Sequence, residues 1–464
     1  MTFHLSVILF LPLATGLVGA FMPVLGRWLV FGATLAVLGL VIAMIADFDS
    51  SKAGLQYVTD DAWISELGIR YTLGVDGLNL FLIALTAVAW VPCTLVSCFR
   101  VPDRPGLYFF NLGLAETAVL GTFMAQDLAL FVVFFDLMLV PFYFLIGGWG
   151  TGDRVRATTK FVIYTLAGSL LMLAGAVALG ALSAQGGDHI SFSLAVLGHR
   201  TVGTGTQEWI FLLFAAAFLV KAPLFPLHGW VPETYRSTSI PVLALLSGVL
   251  SKVGVYGFLR IVLPLLPDAA HHYQNLMIAL AVFSILYGSI LAFTQDDVRL
   301  VIAYSSIAQL GFITLGIFAL EAKGAQGAVM QMVNHGLVVV PLFLIIGVIA
   351  ERAAGSEKLA ELGGMAFRAP VLASLFLIVA FATLAMPGSP NFIGEILILF
   401  GTFENKLVFG LVASVGVALA AVYMIRVFQR TMHNREGPKV TSRDLVGLDL
   451  GAIAPLVAVI IGLG

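Results

Sequence analysis

Apolar runs of roughly twenty residues follow one another along this chain almost without pause. Runs of about 18 or more with few charges are the mark of membrane-spanning helices. Inside a bilayer every backbone donor and acceptor must be satisfied within the protein, which leaves helices as the form for such runs. Composition agrees. The 464 residues are 60% hydrophobic and 11% charged, against roughly 25% charged in a soluble chain. The class is therefore an all-α polytopic membrane protein. The net charge of −2 supplies no basic footprint for nucleic acid.

The periodicity predicts about fourteen spans, at 5–23, 28–46, 78–98, 107–125, 128–148, 161–183, 209–227 with a break, 240–262, 274–293, 300–320, 326–349, 370–402 with a break, 407–428 and 450–464. The last is short for a crossing. Only 47–77 and 184–208 are long polar connections, and neither is large enough for a soluble domain. The first apolar run lacks a basic leader and a small-residue cleavage site, so it reads as a retained helix. With the N-terminus outside, most loop Lys and Arg fall on the cytoplasmic face, notably Arg154, Arg156, Lys160, Arg426, Arg430 and Arg435. That bias follows the positive-inside rule and favours an even number of spans with both termini external.

Two spans carry paired prolines three residues apart. One reads Lys221-Ala-Pro-Leu-Phe-Pro-Leu-His228, the other Met386-Pro-Gly-Ser-Pro-Asn-Phe-Ile-Gly-Glu395. Proline removes a backbone donor and clashes with the preceding turn, so both helices should break. Broken helices at matching positions in two halves point to a transport site in an inverted-repeat transporter. The broken spans are the seventh and the twelfth, an odd number apart, which predicts two inverted five-helix units. The implied divisions are 1–106 (three N-terminal helices), 107–262 and 263–428 (the two repeats) and 429–464 (a loop and the last helix).

Ionisable residues at membrane depth are costly and mark pathways by default. Lys252 has nine or more mainly apolar residues on either side, roughly 15 Å of helix, too far for comfortable snorkelling. Lys221 closes the first half of the broken seventh span. Asp136 is a lone carboxylate in Phe-Val-Val-Phe-Phe-Asp-Leu-Met-Leu-Val, and Glu116 lies in the fourth span. Glu395 follows the second break, where a helix start also favours a carboxylate. His335 suits a proton relay or a satisfied core position. His271 and His272 read as solvated loop residues. Cys93 and Cys98 offer no ligand set and pack as small hydrophobes. Gly147-Gly-Trp-Gly-Thr-Gly152 follows a membrane helix, not a strand, so it is no dinucleotide fingerprint. No cysteine cluster or haem-ligand pair suggests a redox centre.

Lys221-Ala-Pro-Leu-Phe-Pro-Leu-His-Gly-Trp-Val-Pro-Glu233, Lys252, Ile302-Ala-Tyr-Ser-Ser306, Gln331-Met-Val-Asn-His-Gly336 and Pro387-Gly-Ser-Pro-Asn-Phe-Ile-Gly-Glu395, with Leu73-Gly-Val-Asp-Gly-Leu-Asn79 ahead of the third span, resemble the antiporter-like subunits of proton-pumping NADH:quinone oxidoreductase, respiratory complex I. That superfamily also holds Mrp-type sodium/proton antiporters and membrane-bound hydrogenase subunits, the alternative functions. Glu395 matches the branch with glutamate rather than lysine on the twelfth helix. The resemblance implies fourteen helices in two inverted repeats. It makes Asp136 and Lys221 an ion pair, Lys252 a central proton carrier, His335 a relay and Glu395 an exit-side acid. It also implies no cofactor in this chain, L-like and N-like membrane neighbours, and NADH and quinone handled by other subunits. The chain departs from the family pattern at Asp136, where glutamate is usual, and at Gln309, where histidine is frequent. The loop Arg236-Ser-Thr-Ser-Ile240 replaces a more usual Ala-Pro-Thr sequence.

Overall fold

A computed structural model describes residues 4–184, 189–441 and 443–464. Part of the polar connection at 184–208 therefore lies outside the described residues. Among the described residues fifteen helices carry the fold. They are α1 (Leu5–Phe21), α2 (Pro23–Asp47), α3 (Leu80–Phe99), α4 (Pro105–Met124), α5 (Leu128–Trp149), α6 (Arg154–Ser183), α7 (Thr204–Lys221), α8 (Val231–Ser237) and α9 (Ile240–Leu265). The series continues with α10 (Gln274–Thr294), α11 (Val298–Phe318), α12 (Ala322–Arg352), α13 (Pro370–Thr383), α14 (Pro390–Met432) and α15 (Gly447–Leu463). Ten helices are long and apolar enough to cross a membrane, with α1, α13 and α15 as shorter apolar ones. The chain is thus a mostly helical, multi-pass membrane protein. His271 and His272 are exposed, but on a short helix, Pro267–His272, rather than a loop.

Several helices start earlier than hydropathy predicts. Pro23 opens α2 at the first helical position, where its missing N–H costs nothing. Asp153 caps α6 by accepting the Arg156 N–H, so that helix begins seven residues before the apolar run. An all-helical reading also misses one element. Residues Gln56–Ile64 (β1) and Ile69–Val75 (β2) form an antiparallel hairpin. The hairpin is largely polar, so hydropathy leaves it as a connection. Its cross-strand pair Arg70–Asp60 (2.7 Å) and the Thr72 hydroxyl on Asp60 hold it, and the Gln126 N–H donates to Thr72 O at the α4–α5 junction.

Both proline pairs break their helices, and the freed backbone groups find partners inside the protein, as membrane depth requires. Past Lys221 the indole N–H of Trp230 donates to Val220 O (3.0 Å), and the Phe225 N–H donates to Ser284 Oγ (2.9 Å). Arg299 closes the short helix beyond the break. Its Nη1 donates to the carbonyls of Tyr235, Arg236 and Thr238, and its Nε donates to Glu357 (2.8 Å). At the second break the Asn334 amide donates to Pro390 O (2.7 Å). α14 is kinked again at Lys406, whose φ of −136° and ψ of 61° are not helical.

The Leu73–Asn79 motif anchors α9. Arg260 donates from both Nη atoms to Asp76 (2.8 and 2.7 Å), and Asp76 Oδ1 accepts the Leu78 and Asn79 N–H groups in the turn just ahead of α3. Asn79 donates in turn to Gly74 O and Phe123 O. Burial alone would push the Asp76 carboxyl up. The Arg260 guanidinium and the two backbone donors outweigh it and hold the carboxyl below its ordinary value. The contribution of a depressed carboxyl is complete above its unfolded value, about 3.9, and is lost as pH falls through the lower folded one. The parent should therefore exceed an Asp76→Asn variant in thermal stability at pH 7, with a smaller gap at pH 3. An equal gap at both pH values in detergent unfolding would show that this pair does not control the pH response.

Candidate proton-pathway site

The site is assembled around α9, which is not a regular helix. Two π-helical turns, Leu246–Leu250 and Phe258–Val262, flank Lys252. Such turns carry an extra residue and occur frequently at functional sites. Gly254 lets α9 approach the end of α7, since a Cβ there would lie 2.5 Å from Phe218 O.

Lys252 is completely buried. An ammonium has three donors, and Lys252 Nζ has three partners: Ser247 O (2.7 Å), Ser251 Oγ (3.2 Å) and His335 Nδ1 (2.8 Å). With lysine charged, it donates to Nδ1 and the imidazole proton sits on Nε2. With the proton on Nδ1, the same contact runs in the opposite direction. The geometry can thus pass one proton between two side chains without moving either.

Glu395, on α14, is buried at 3% exposure. Its Oε1 accepts from Gln309 Nε2 of α11 (2.7 Å) and lies 3.5 Å from Gln331 Nε2 of α12. Gln331 Nε2 also donates to Gln309 Oε1 (2.8 Å). Gln331 and His335 are four residues apart on α12 and so share a face. The polar line runs Lys252, His335, Gln331, Gln309, Glu395, interrupted only by one helical turn. Gln331 appears in the sequence only as part of a motif, and its spacing from His335 is the signal that could have singled it out. Gln309, which sequence reasoning treats as a lost histidine, is the main donor to Glu395.

Lys221 and Asp136 form a second group. Lys221 is buried, and its Nζ lies 4.7 Å from the centroid of the Phe135 ring, within the range of a cation–π contact. Asp136 is half-buried near a short interruption of α5 at Met138, where Pro141 leaves the Leu137 carbonyl without its helical donor. The two charges are electrostatically coupled. Among the described residues they share no ion pair or hydrogen bond, so the implied ion pair is not a direct contact here. Glu116 is completely buried and neither carboxylate oxygen has a hydrogen-bond partner among the described residues, so it stands outside the connected line. Cys93 and Cys98 are free and buried, and no metal-binding cluster occurs among the described residues.

Residues 125–420 match the family model described as NADH:quinone oxidoreductase/Mrp antiporter, TM. The chain is 36% identical to NADH-quinone oxidoreductase subunit M of Rhodobacter capsulatus, covering 99% of this chain and 92% of that one. Respiratory complex I from Thermus thermophilus contains a chain that superposes with a TM-score of 0.90 at 31% identity, covering 99% of this chain and 95% of the other. A chain of the Mrp complex from Dietzia superposes with a TM-score of 0.85 at 20% identity, covering 99% of this chain and 50% of that one, a likeness of fold alone. With a family match over most of its length and close relatives along all of it, the chain belongs to the NADH:quinone oxidoreductase/Mrp antiporter membrane family, in the subunit M group.

Proposed function

We propose that this chain is the proton-translocating subunit M of a bacterial complex I in the plasma membrane, driven by quinone reduction in other subunits. The observation that carries this reading is the buried Lys252–His335 contact at 2.8 Å, with the bonded Gln331, Gln309 and Glu395 beginning one helical turn away. Lys252 is the central carrier, His335 its relay and Glu395 the exit-side acid. Asp136 holds Lys221 by charge. When a signal from a neighbouring subunit separates them, Lys221 acts on Lys252, and two like charges disfavour each other's protonated form. Lys252 then gives its proton toward Glu395. Glu116 is a further carboxylate of the first half-channel. Moving one charge against 100 mV costs about 2.3 kcal/mol, so the energy comes from redox chemistry elsewhere, and NADH and quinone act only through other subunits.

In this reading fourteen crossings form two inverted repeats, 107–262 and 263–428, with a three-helix segment before them, residues 429–464 after them and both termini outside. The two proline-broken helices and the Lys and Arg bias support it. The neighbours are L-like and N-like membrane subunits.

The tagged chain, purified in mild detergent, should bring down flavin and iron–sulfur subunits with those neighbours. In sealed vesicles, the assembled complex carrying Glu395→Gln should oxidise NADH with proton uptake reduced about tenfold or more, a barrier change of about 1.4 kcal/mol. Undiminished uptake would remove Glu395 from the path. Recovery with small antiporter subunits alone would make the chain a sodium/proton exchanger.

A further inference from the structure

Gln309 and Gln331 are both buried, at 1% and 0% exposure, and bonded to each other. Their orientation follows from the partner at the end of the chain. An ionised carboxylate only accepts hydrogen bonds. Gln309 must therefore turn Nε2 to Glu395 Oε1 and Oε1 to Gln331. Gln331 must then donate, and its own Oε1 is left without a donor in the protein interior. Both amides point their N–H groups toward Glu395.

A Glu395 protonated on Oε1 reverses the demand, because that hydroxyl needs an acceptor. Gln309 can offer Oε1 only by turning its amide over. Its Nε2 then faces Gln331, whose unpartnered Oε1 becomes the acceptor, and Gln331 Nε2 is turned away from Glu395. His335 lies one helical turn along the same face of α12, in contact with Lys252. The two orientations hold the same number of amide–amide bonds, so the charge on Glu395 is what distinguishes them, as a two-state element requires.

We propose that Gln309 and Gln331 form a reversible amide chain that reports the protonation state of Glu395 to His335 and carries no proton itself. The two glutamines are positioning residues. The chain lets the Lys252–His335 pair release its proton when Glu395 is free to take one, and so limits slip. This rests on the reading of His335 and Glu395 as proton carriers.

The decisive variant is Gln331→Met in the assembled complex, because it leaves the Gln309–Glu395 bond intact. Protons taken up per NADH oxidised should fall roughly fivefold, the weight of one neutral hydrogen bond between the two amides. The pH at half-maximal pumping should move by about one unit. Gln309→Leu should do the same, and the double variant should be no worse than either single one, since residues in one network are not additive. A wild-type ratio and pH profile in Gln331→Met would reduce the pair to scaffolding and overturn the proposal. Should the variants fail to assemble, pH-difference infrared spectra of the parental complex with isotope-labelled glutamine decide. Side-chain amide bands should change with pH, and unchanged bands overturn the proposal. Normal pumping by Glu395→Gln would instead overturn the underlying pathway.

Discussion

Replacing Lys252 by arginine is expected to abolish proton uptake although the positive charge is kept. The argument is one of proton exchange rather than electrostatics. Lysine holds its three donors on Ser247 O, Ser251 Oγ and His335 Nδ1, and any of its protons can be given up. Arginine stays protonated throughout the accessible pH range, so it can donate a hydrogen bond to His335 but never release the proton. Its planar fork also cannot reproduce three donors from one nitrogen at a site with no exposure. Lys252→Met removes the charge as well and should behave alike. The measurement is proton uptake by sealed vesicles holding equal amounts of assembled complex, with an expected loss of more than about tenfold, or at least 1.4 kcal/mol of barrier. Arginine that pumped at the parental rate would show that Lys252 supplies only a field, and the carrier role would be given up.

Arg299→Met should be the most damaging change to the framework. The guanidinium is 8% exposed and serves four partners, namely Glu357 and the carbonyls of Tyr235, Arg236 and Thr238. Its removal strands a carboxylate and leaves three carbonyls at the end of the short helix α8 without their donor. Removing one partner of a buried pair costs about 3–5 kcal/mol, and the 17% exposure of the Glu357 side chain sets this loss at the lower end. Thermal unfolding of the purified complex should register that loss, with reduced assembly in the membrane. Arg299→Lys should recover little, because a point charge cannot replace a planar fork. Adding Glu357→Gln to Arg299→Met should recover part, because it removes the stranded charge. A variant within about 0.5 kcal/mol of the parent would place Arg299 among ordinary surface positions.

The framework is legible in the sequence because the bilayer leaves few alternatives. Long apolar runs can only be helices there, so most of the helices that the structure describes were readable from hydropathy. The two breaks were readable from paired prolines. Lys252 stood out because a charge amid apolar neighbours is costly at such depth, and Glu395 stood out beside the second break although a helix start also favours a carboxylate. The hairpin at 56–75 escaped because short polar strands are stabilised by pairing with each other and with the α4–α5 junction, which no local periodicity records. Nothing local singles out Arg299, just ahead of the apolar run at 300–320, since its partner Glu357 lies 58 residues away.

By itself, then, the sequence determined the membrane class, the broken helices and the candidate charges, all of which follow from the local cost of putting polar groups in hydrocarbon. Tertiary structure alone decided which of those charges meet. It joined Lys252 to His335 across 83 residues of chain and Gln309 to Glu395 across 86. It also kept Asp136 from direct contact with Lys221 and left Glu116 without a partner among the described residues. Hydrogen bonds depend on tenths of an ångström between different helices, and helix packing, which no single span encodes, sets those distances.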